Sequence, residues 1–391
     1  MSVIHITGFE KQDLTDTVEL HSKVGVPTID TSIKRSGAAS LKFASTGSEI
    51  SVRLESNETA DDFVRQYAIY VPTGGLPSGL TKIIQLSDGG GDHTSVRINS
   101  NGTLELWDDS GAVQLGSDTP AITLDSFENV IELDVGTTHG GNDAKLKLNG
   151  VMVAEGATIS AGANHRYSEI GIMGAETATI YFDDCVIVTH ANGADFESWP
   201  NRIKLVMSLP NAAGDNAATA GLYTSINDND DADYIEIDTT ETPEYNMQSS
   251  ADIGLPSDAL IGFVAVGARV RGETATACSW LPRIKSQASG TTVTGTTTAI
   301  ASASFNTHDD TAGATRIYKL VSYTDPQGGG SWTPPMWDGA QIGASAPDAT
   351  PDVWISQMWA YIGYWEKTAS MVFRDQFAVS SNTALESKTP D

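Results

Sequence analysis

AKLKLNGVMVAEG (144–156) is the stretch whose reading decides the fold. Lysines and leucines alternate up to Leu148, and alternation at period two places side chains on opposite faces of a strand. Asn149-Gly150 then interrupts the pattern. Asn-Gly suits a type I′ turn, in which both central residues take positive φ, so the segment reads as two antiparallel strands joined by a tight hairpin.

The same grammar extends in both directions. Upstream lie AASLKFA (38–44), EISVRLE (49–55), FVRQYAIYV (63–71), TKIIQLS (81–87), TSVRINS (94–100), TLELWDD (103–109) and NVIELDVG (129–136). Downstream lie SEIGIMG (168–174) and TIYFDDCVIVTH (179–190). Turn-forming runs such as DGGGD and NSNG separate them, and no helical period of useful length intervenes. A second strand-rich block follows ANGADFESWP (191–200), which reads as a linker. It includes RIKLVMSLP (202–210), ADYIEIDT (232–239), ALIGFVAVGARVRG (259–272), ATACSWLPRIKS (275–286), TTVTGTTTAIASASF (291–305), TRIYKLVSYTD (315–325) and DVWISQMWAYIGYWE (352–366). PNAAGDNAATAGLY and TPPMWDGAQIG read as helical or irregular. The predicted class is all-β, with two antiparallel β-sandwich (jelly-roll) domains at 1–193 and 194–366. The remainder, 367–391, reads as a polar extension in which MVFRDQFAV (371–379) is either one more strand or a segment that docks on a neighbouring subunit.

Composition narrows the partners. The 391 residues carry a net charge of −27 with only 19% charged residues. Such a surface repels phosphate backbones and anionic headgroups, which argues against nucleic acid and against membrane insertion. No apolar run approaches the ~18 residues of a membrane span, and MSVIHITGFE lacks the pattern of a signal peptide. Cys185 and Cys278, one per block, read as buried free thiols.

The first block resembles the concanavalin A-like, laminin-G-type jelly roll. ITGFE (6–10), RSGAASLKF (35–43), the 144–156 hairpin and IYFDDCVIV (180–188) carry the likeness. In the second block, WPNRIKLVMSLPNAAGDN (199–216), ADYIEI (232–237), TDPQGGGSWTP (324–334) and WISQMWAYIGYWE (354–366) occur in an order that resembles large bacteriophage virion proteins. The resemblance implies a non-enzymatic structural subunit on the virion surface, as a capsid decoration or tail- or fibre-associated protein. Such a subunit would be a homo-oligomer, with a trimer as the expected form, contacting other capsid or tail proteins. The alternative is a carbohydrate-binding module that adheres to a host surface glycan.

Three sets of side chains carry candidate chemistry. Trp107, Trp332 and Trp337 could stack on sugar rings or on a partner; for Trp107 the competing reading is core packing, and the Pro-rich loop around Trp332 and Trp337 is expected to be partly exposed. Asp228, Asp230, Asp231 and Asp233 offer hard oxygens to Ca²⁺, against the plainer reading of a solvated acidic turn without EF-hand spacing. Asp88–Asp92 and the Asp108-Asp109 pair invite the same two readings. Otherwise no cofactor is expected. Glu236, Asp238 and Glu241 resemble the carboxylates of jelly-roll endoglucanases, but Thr242-Pro243 ends the strand at once, and no catalytic residue is assigned.

Overall fold

The computed structural model describes residues 2–12, 14, 20, 22–55, 63–87, 91–136, 143–156, 167–189, 201–218, 220–228, 230–239, 241–274, 276–300, 304–305, 320–348 and 352–367. The 191–200 linker and the 371–379 segment lie outside these.

The protein is all-β, and every strand pairing in it is antiparallel. Strands from residues 2–189 form an eight-stranded and a seven-stranded sheet; strands from residues 204–365 form a five-stranded and a six-stranded sheet. Among the described residues no sheet mixes the two blocks. Asn149 and Gly150 sit at φ 57° and 80°, as the hairpin reading requires, between strands Asp143–Leu148 and Val151–Gly156.

Burial shows how the sheets stack. One apolar core lies between the first two sheets, joining Phe43, Tyr67, Leu133, Leu146 and Phe182 to Val52, Ile84, Val96, Leu106 and Ile170. Another lies between the last two, joining Val264, Val266, Ala360 and Ile362 to Tyr245, Trp280, Ile284 and Ile342. A third core joins the blocks: Val3, Ile6, Val64, Val186 and Val188 of the eight-stranded sheet meet Leu205, Phe263, Ala265, Trp359 and Tyr361 of the five-stranded sheet. The result is four sheets in face-to-face layers.

Strand Val353–Trp365 displays the alternation that makes this work. Met358, Ala360, Ile362 and Tyr364 enter the second block's own core, whereas Trp359, Tyr361 and Trp365 face the first block. Two of the cross-strand partners are glycines: Gly267 opposite Trp359, and Gly363 opposite Phe263. A Cβ on Gly267 would lie 2.4 Å from the Trp359 ring, and one on Gly363 would lie 2.3 Å from the Phe263 ring. Glycine therefore lets each ring lie flat against the neighbouring strand, giving a smooth apolar surface for a second sheet. Lys11 of the first block places its ammonium 3.8 Å from the Trp359 ring centre, adding a cation–π contact across the seam.

Polar groups fix the docking angle. A bulge near Asp183 leaves Asp184 at φ 46°, which turns its carboxylate toward the second block. Asp184 pairs with Arg35 at 2.7 Å and accepts from the Ser36 hydroxyl at 2.5 Å and from the Leu205 N–H at 2.8 Å. The Arg35 guanidinium also donates to the carbonyls of Ile203 and Arg202 at 2.8 and 2.9 Å, and Gln66 donates to Ile203 O at 2.8 Å. Burial, with Asp184 alongside, pushes the neighbouring Asp183 carboxyl well above the usual range.

Some elements differ from the sequence reading. PNAAGDN contributes a strand, Pro210–Ala213, and TPPMWDGAQIG holds one helical turn, Pro334–Trp337, followed by a strand, Gln341–Ser345. Strand Glu244–Met247 alternates over only four residues, Tyr245 and Met247 entering the core while Glu244 on the other side joins a charged cluster: Lys285 bridges Glu244 at 2.5 Å and Asp215 at 2.6 Å.

His5 on strand Ser2–Thr7 is fully buried, and neither ring nitrogen has a hydrogen-bond partner. Burial lowers its pKa to about 3. The unfolded chain takes up the proton near the ordinary value while the folded chain resists it, so stability is lost as pH falls from about 6.5 towards 3. Replacing His5 with leucine is expected to remove about 3 kcal/mol of that acid sensitivity, read as the difference between wild-type and variant urea midpoints at pH 7 and pH 4. Parallel pH dependences in the two proteins would contradict the buried neutral ring.

Candidate functional site

Where the two blocks meet, their edges leave an open groove of about 420 Å³. Four separated segments build it: loop 32–35, the end of strand Phe63–Tyr70, loop 125–128, and Lys204 at the start of strand Lys204–Ser208. Lys204 is the second block's contribution, so the groove requires the docked arrangement.

Each segment is fixed locally. Asp30 accepts from the N–H groups of Ser32 and Ile33 at 2.8 and 2.9 Å, an Asx-type turn that shapes the first loop. Arg35 then anchors it to Asp184. Asn129 ties down the other loop, donating to the carbonyls of Thr123 and Ser126 at 2.7 and 2.8 Å and accepting from Thr123 N–H at 2.8 Å. Asp125 occupies the left-handed region at φ 55°. Its carboxylate accepts from the Thr73 N–H at 2.9 Å, the Thr73 hydroxyl at 2.5 Å and the Tyr70 hydroxyl at 3.3 Å. The Thr73 donors hold the Asp125 carboxyl below its ordinary pKa, and the Tyr70 hydroxyl is raised by desolvation and by Asp125.

The floor is aromatic. Lys42, Tyr181 and Tyr70 form a cross-strand row on the outer face of the eight-stranded sheet. Tyr70 meets Tyr181 edge-on at 5.5 Å and lies 5.3 Å from Phe127. Tyr70 and Phe127 are half-buried, so part of each ring faces the groove. The rim is charged: Lys204 pairs with Glu366 at 2.6 Å, Glu128 pairs with Arg202, and Lys34 is exposed.

The residues singled out from sequence lie elsewhere. Trp332 and Trp337 are 1% and 0% exposed, correcting the expectation of a contact loop. Their rings fill the second block's core, with Trp337 Nε1 donating to Gln248 O at 3.0 Å; burying two indoles outweighs exposing a Pro-rich turn. Trp107 is half-buried on the seven-stranded sheet, with the Arg97 guanidinium 4.0 Å from its ring and Nε1 donating to Glu105 at 2.7 Å.

Among the described residues the carboxylates of the acidic turn are directed to separate partners. Asp231 is gripped by Arg269 at 2.8 and 2.6 Å and accepts from Ser356 at 2.7 Å. Asp228 and Asp230 accept from backbone N–H groups within the turn, and Asp233 is exposed. Among the described residues no three His, Cys, Asp or Glu side chains converge as metal ligands. Asp108 caps its own turn and Asp109 pairs with Lys82 and Arg97, while 88–90 lie outside the described residues. Glu236 lies on strand Ile235–Ile237, but Asp238 and Glu241 close a turn on each other's backbone beyond it. Desolvation and a hydrogen bond with Asp352 raise the Glu236 pKa. Direct contact between two carboxyls differs from the ~5 Å gap of a retaining glycosidase.

No family model and no curated protein matches this chain. Among solved structures it is similar to cellulose-induced protein Cip1, at 18% identity over 48% of this chain and 99% of that one, with a TM-score of 0.39. It is also similar to a Trypanosoma rangeli sialidase, at 12% identity over 42% of this chain and 27% of that one, TM-score 0.32. A third is alginate lyase AlgAT5 of polysaccharide lyase family 7, at 13% identity over 42% of this chain and 82% of that one, TM-score 0.31. None of these names a virion component, so the phage role expected from the sequence keeps its motifs as its support. Likeness at this level leaves the site to be read from this chain's own residues. Among the described residues no helix is long and apolar enough to cross a membrane.

Trp337→Ala is expected to cost about 3–5 kcal/mol of stability in urea denaturation. A cost within the ~0.5 kcal/mol typical of surface substitutions would return this residue to the contact surface.

Proposed function

We propose that the protein is a carbohydrate-binding module holding a saccharide in the groove between its two blocks, without chemical turnover. The observation that carries this is the half-exposed Tyr70–Phe127 floor set beside fixed polar groups in an open groove. A pyranose ring presents an apolar C–H face and a rim of hydroxyls, so it needs an aromatic surface and oriented donors and acceptors at its edge. Tyr70 and Phe127 supply the surface. Asp125 and Lys34 supply the polar edge, on loops whose geometry is already fixed, so little ordering cost falls on binding.

Turnover would need a carboxyl able to give up a proton at the sugar linkage. Asp125 is held ionised by the Thr73 donors, and Glu128 is occupied by Arg202. The groove's carboxyls therefore serve as acceptors. The outer face of the eight-stranded sheet is unavailable for an extended ligand where the second block covers it, so the groove admits a short stretch of saccharide.

A glycan array followed by titration calorimetry tests the proposal. Wild type is expected to bind a saccharide, and Tyr70→Ala and Phe127→Ala are each expected to weaken binding by roughly tenfold or more, about 1.4 kcal/mol, with little change in thermal midpoint. Failure of wild type to retain any glycan, or full affinity in both variants, would overturn it.

A further inference from the structure

We infer that the saccharide carries an anionic substituent, and that Lys34 is the residue that reads it. This rests on the groove being a saccharide site. The chain as a whole, at −27, repels anions, so a place where positive charge is left uncompensated stands out against that field.

The charges lining the groove separate into spent and unspent. Arg35 is committed to Asp184 and to two backbone carbonyls. Lys204 is committed to Glu366, and Glu128 to Arg202. Asp125 already accepts three hydrogen bonds from Thr73 and Tyr70. Lys34 differs. Its ammonium donates to Ala38 O at 3.2 Å and has no carboxylate within ion-pair distance among the described residues, the buried Glu10 acting on it only through a longer-range coulombic interaction, which leaves donors free on an exposed side chain.

A second cation stands on the same sheet face, outside the groove lining. Lys42 lies in the same cross-strand row as the aromatic floor, its ammonium 5.5 Å from the Tyr181 ring centre, and it has no ion pair among the described residues. The site is thus an aromatic floor with one lysine ammonium, that of Lys34, unpaired at its edge among the described residues. A ring stacked on Tyr70 and Phe127 would bring a carboxylate or sulfate ester within reach of Lys34, and a charge-assisted hydrogen bond there is stronger than one to a hydroxyl. A neutral sugar would leave that positive charge unused.

The test is titration calorimetry of the full chain at low ionic strength with matched oligosaccharides: mannose oligomers against oligomannuronate, and galactose oligomers against oligogalacturonate and a sulfated galactan oligomer. Wild type is expected to bind an anionic member at least tenfold more tightly than its neutral counterpart. Lys34→Gln is expected to bring the two within twofold of each other, and Lys34→Glu to invert the order. Whether uronate or sulfate is the better ligand identifies the anion. Equal affinity of wild type for neutral and anionic members, or a preference that survives Lys34→Gln, overturns the inference while leaving the groove as a saccharide site. Absence of binding by every oligomer, or binding indifferent to Tyr70→Ala, overturns the saccharide reading itself.

Discussion

Strand Val353–Trp365 serves two cores at once, and the rest of the molecule follows from that constraint. Its even-numbered residues from Met358 to Tyr364 complete one sandwich, while Trp359, Tyr361 and Trp365 press against another. A strand buried on both faces has little room for charge, and WISQMWAYIGYW carries none over its length. The glycines opposite its rings keep that surface flat. Remove the outward face and the second block would still have a core, but it would expose a broad aromatic sheet to water.

Function is organised by what this docking consumes and what it leaves. Apolar contact at the seam is non-directional, so alignment falls to the Asp184–Arg35–Ser36 cluster and its bonds to residues 202–205. A buried pair of this kind is weak evidence for stability and better understood as a fixer of register. The same Arg35 shapes the groove wall, so one side chain couples assembly of the two blocks to the geometry of the site. Beyond the apolar contact, the edge of the sheet is left with tyrosines, a phenylalanine and lysines, and it is there that we propose the molecule meets a ligand.

Much of the fold was legible because strands announce themselves by alternation and hairpins by turn chemistry. Asn149-Gly150 is the clearest instance. Legibility failed where tertiary contacts replace the local signal. Glu244–Met247 carries only two apolar residues at period two, Tyr245 and Met247, too short a signal to read, and its other side is fixed by the long-range contacts of Lys285 and Arg283 with Glu244. Trp332 and Trp337 sit in a Pro- and Gly-rich stretch that reads as a surface loop, and only the packed core shows where the rings go. Glu236 and Asp238 share a strand-like spacing, yet the chain turns after Ile237 and Glu236 meets Asp352 instead. The groove was missed because its residues come from four distant segments and none belongs to a recognisable motif. Tyr70 closes strand Phe63–Tyr70 and pairs with Tyr181 inside strand Thr177–Thr189, a long-range pairing that neither segment announces on its own.

Amide hydrogen exchange read by mass spectrometry tests the layered docking most directly. Peptides covering 2–7 and 203–208 lie at the seam, and peptides covering 63–70 lie in the first block's central strand. If the third core binds the blocks into one cooperative body, the seam peptides exchange in the same slow class as the central strand and lose protection together with it as denaturant is raised. Rapid exchange at 203–208 while 63–70 stays protected would mean that the blocks separate freely in solution, and the shared core would have to be abandoned.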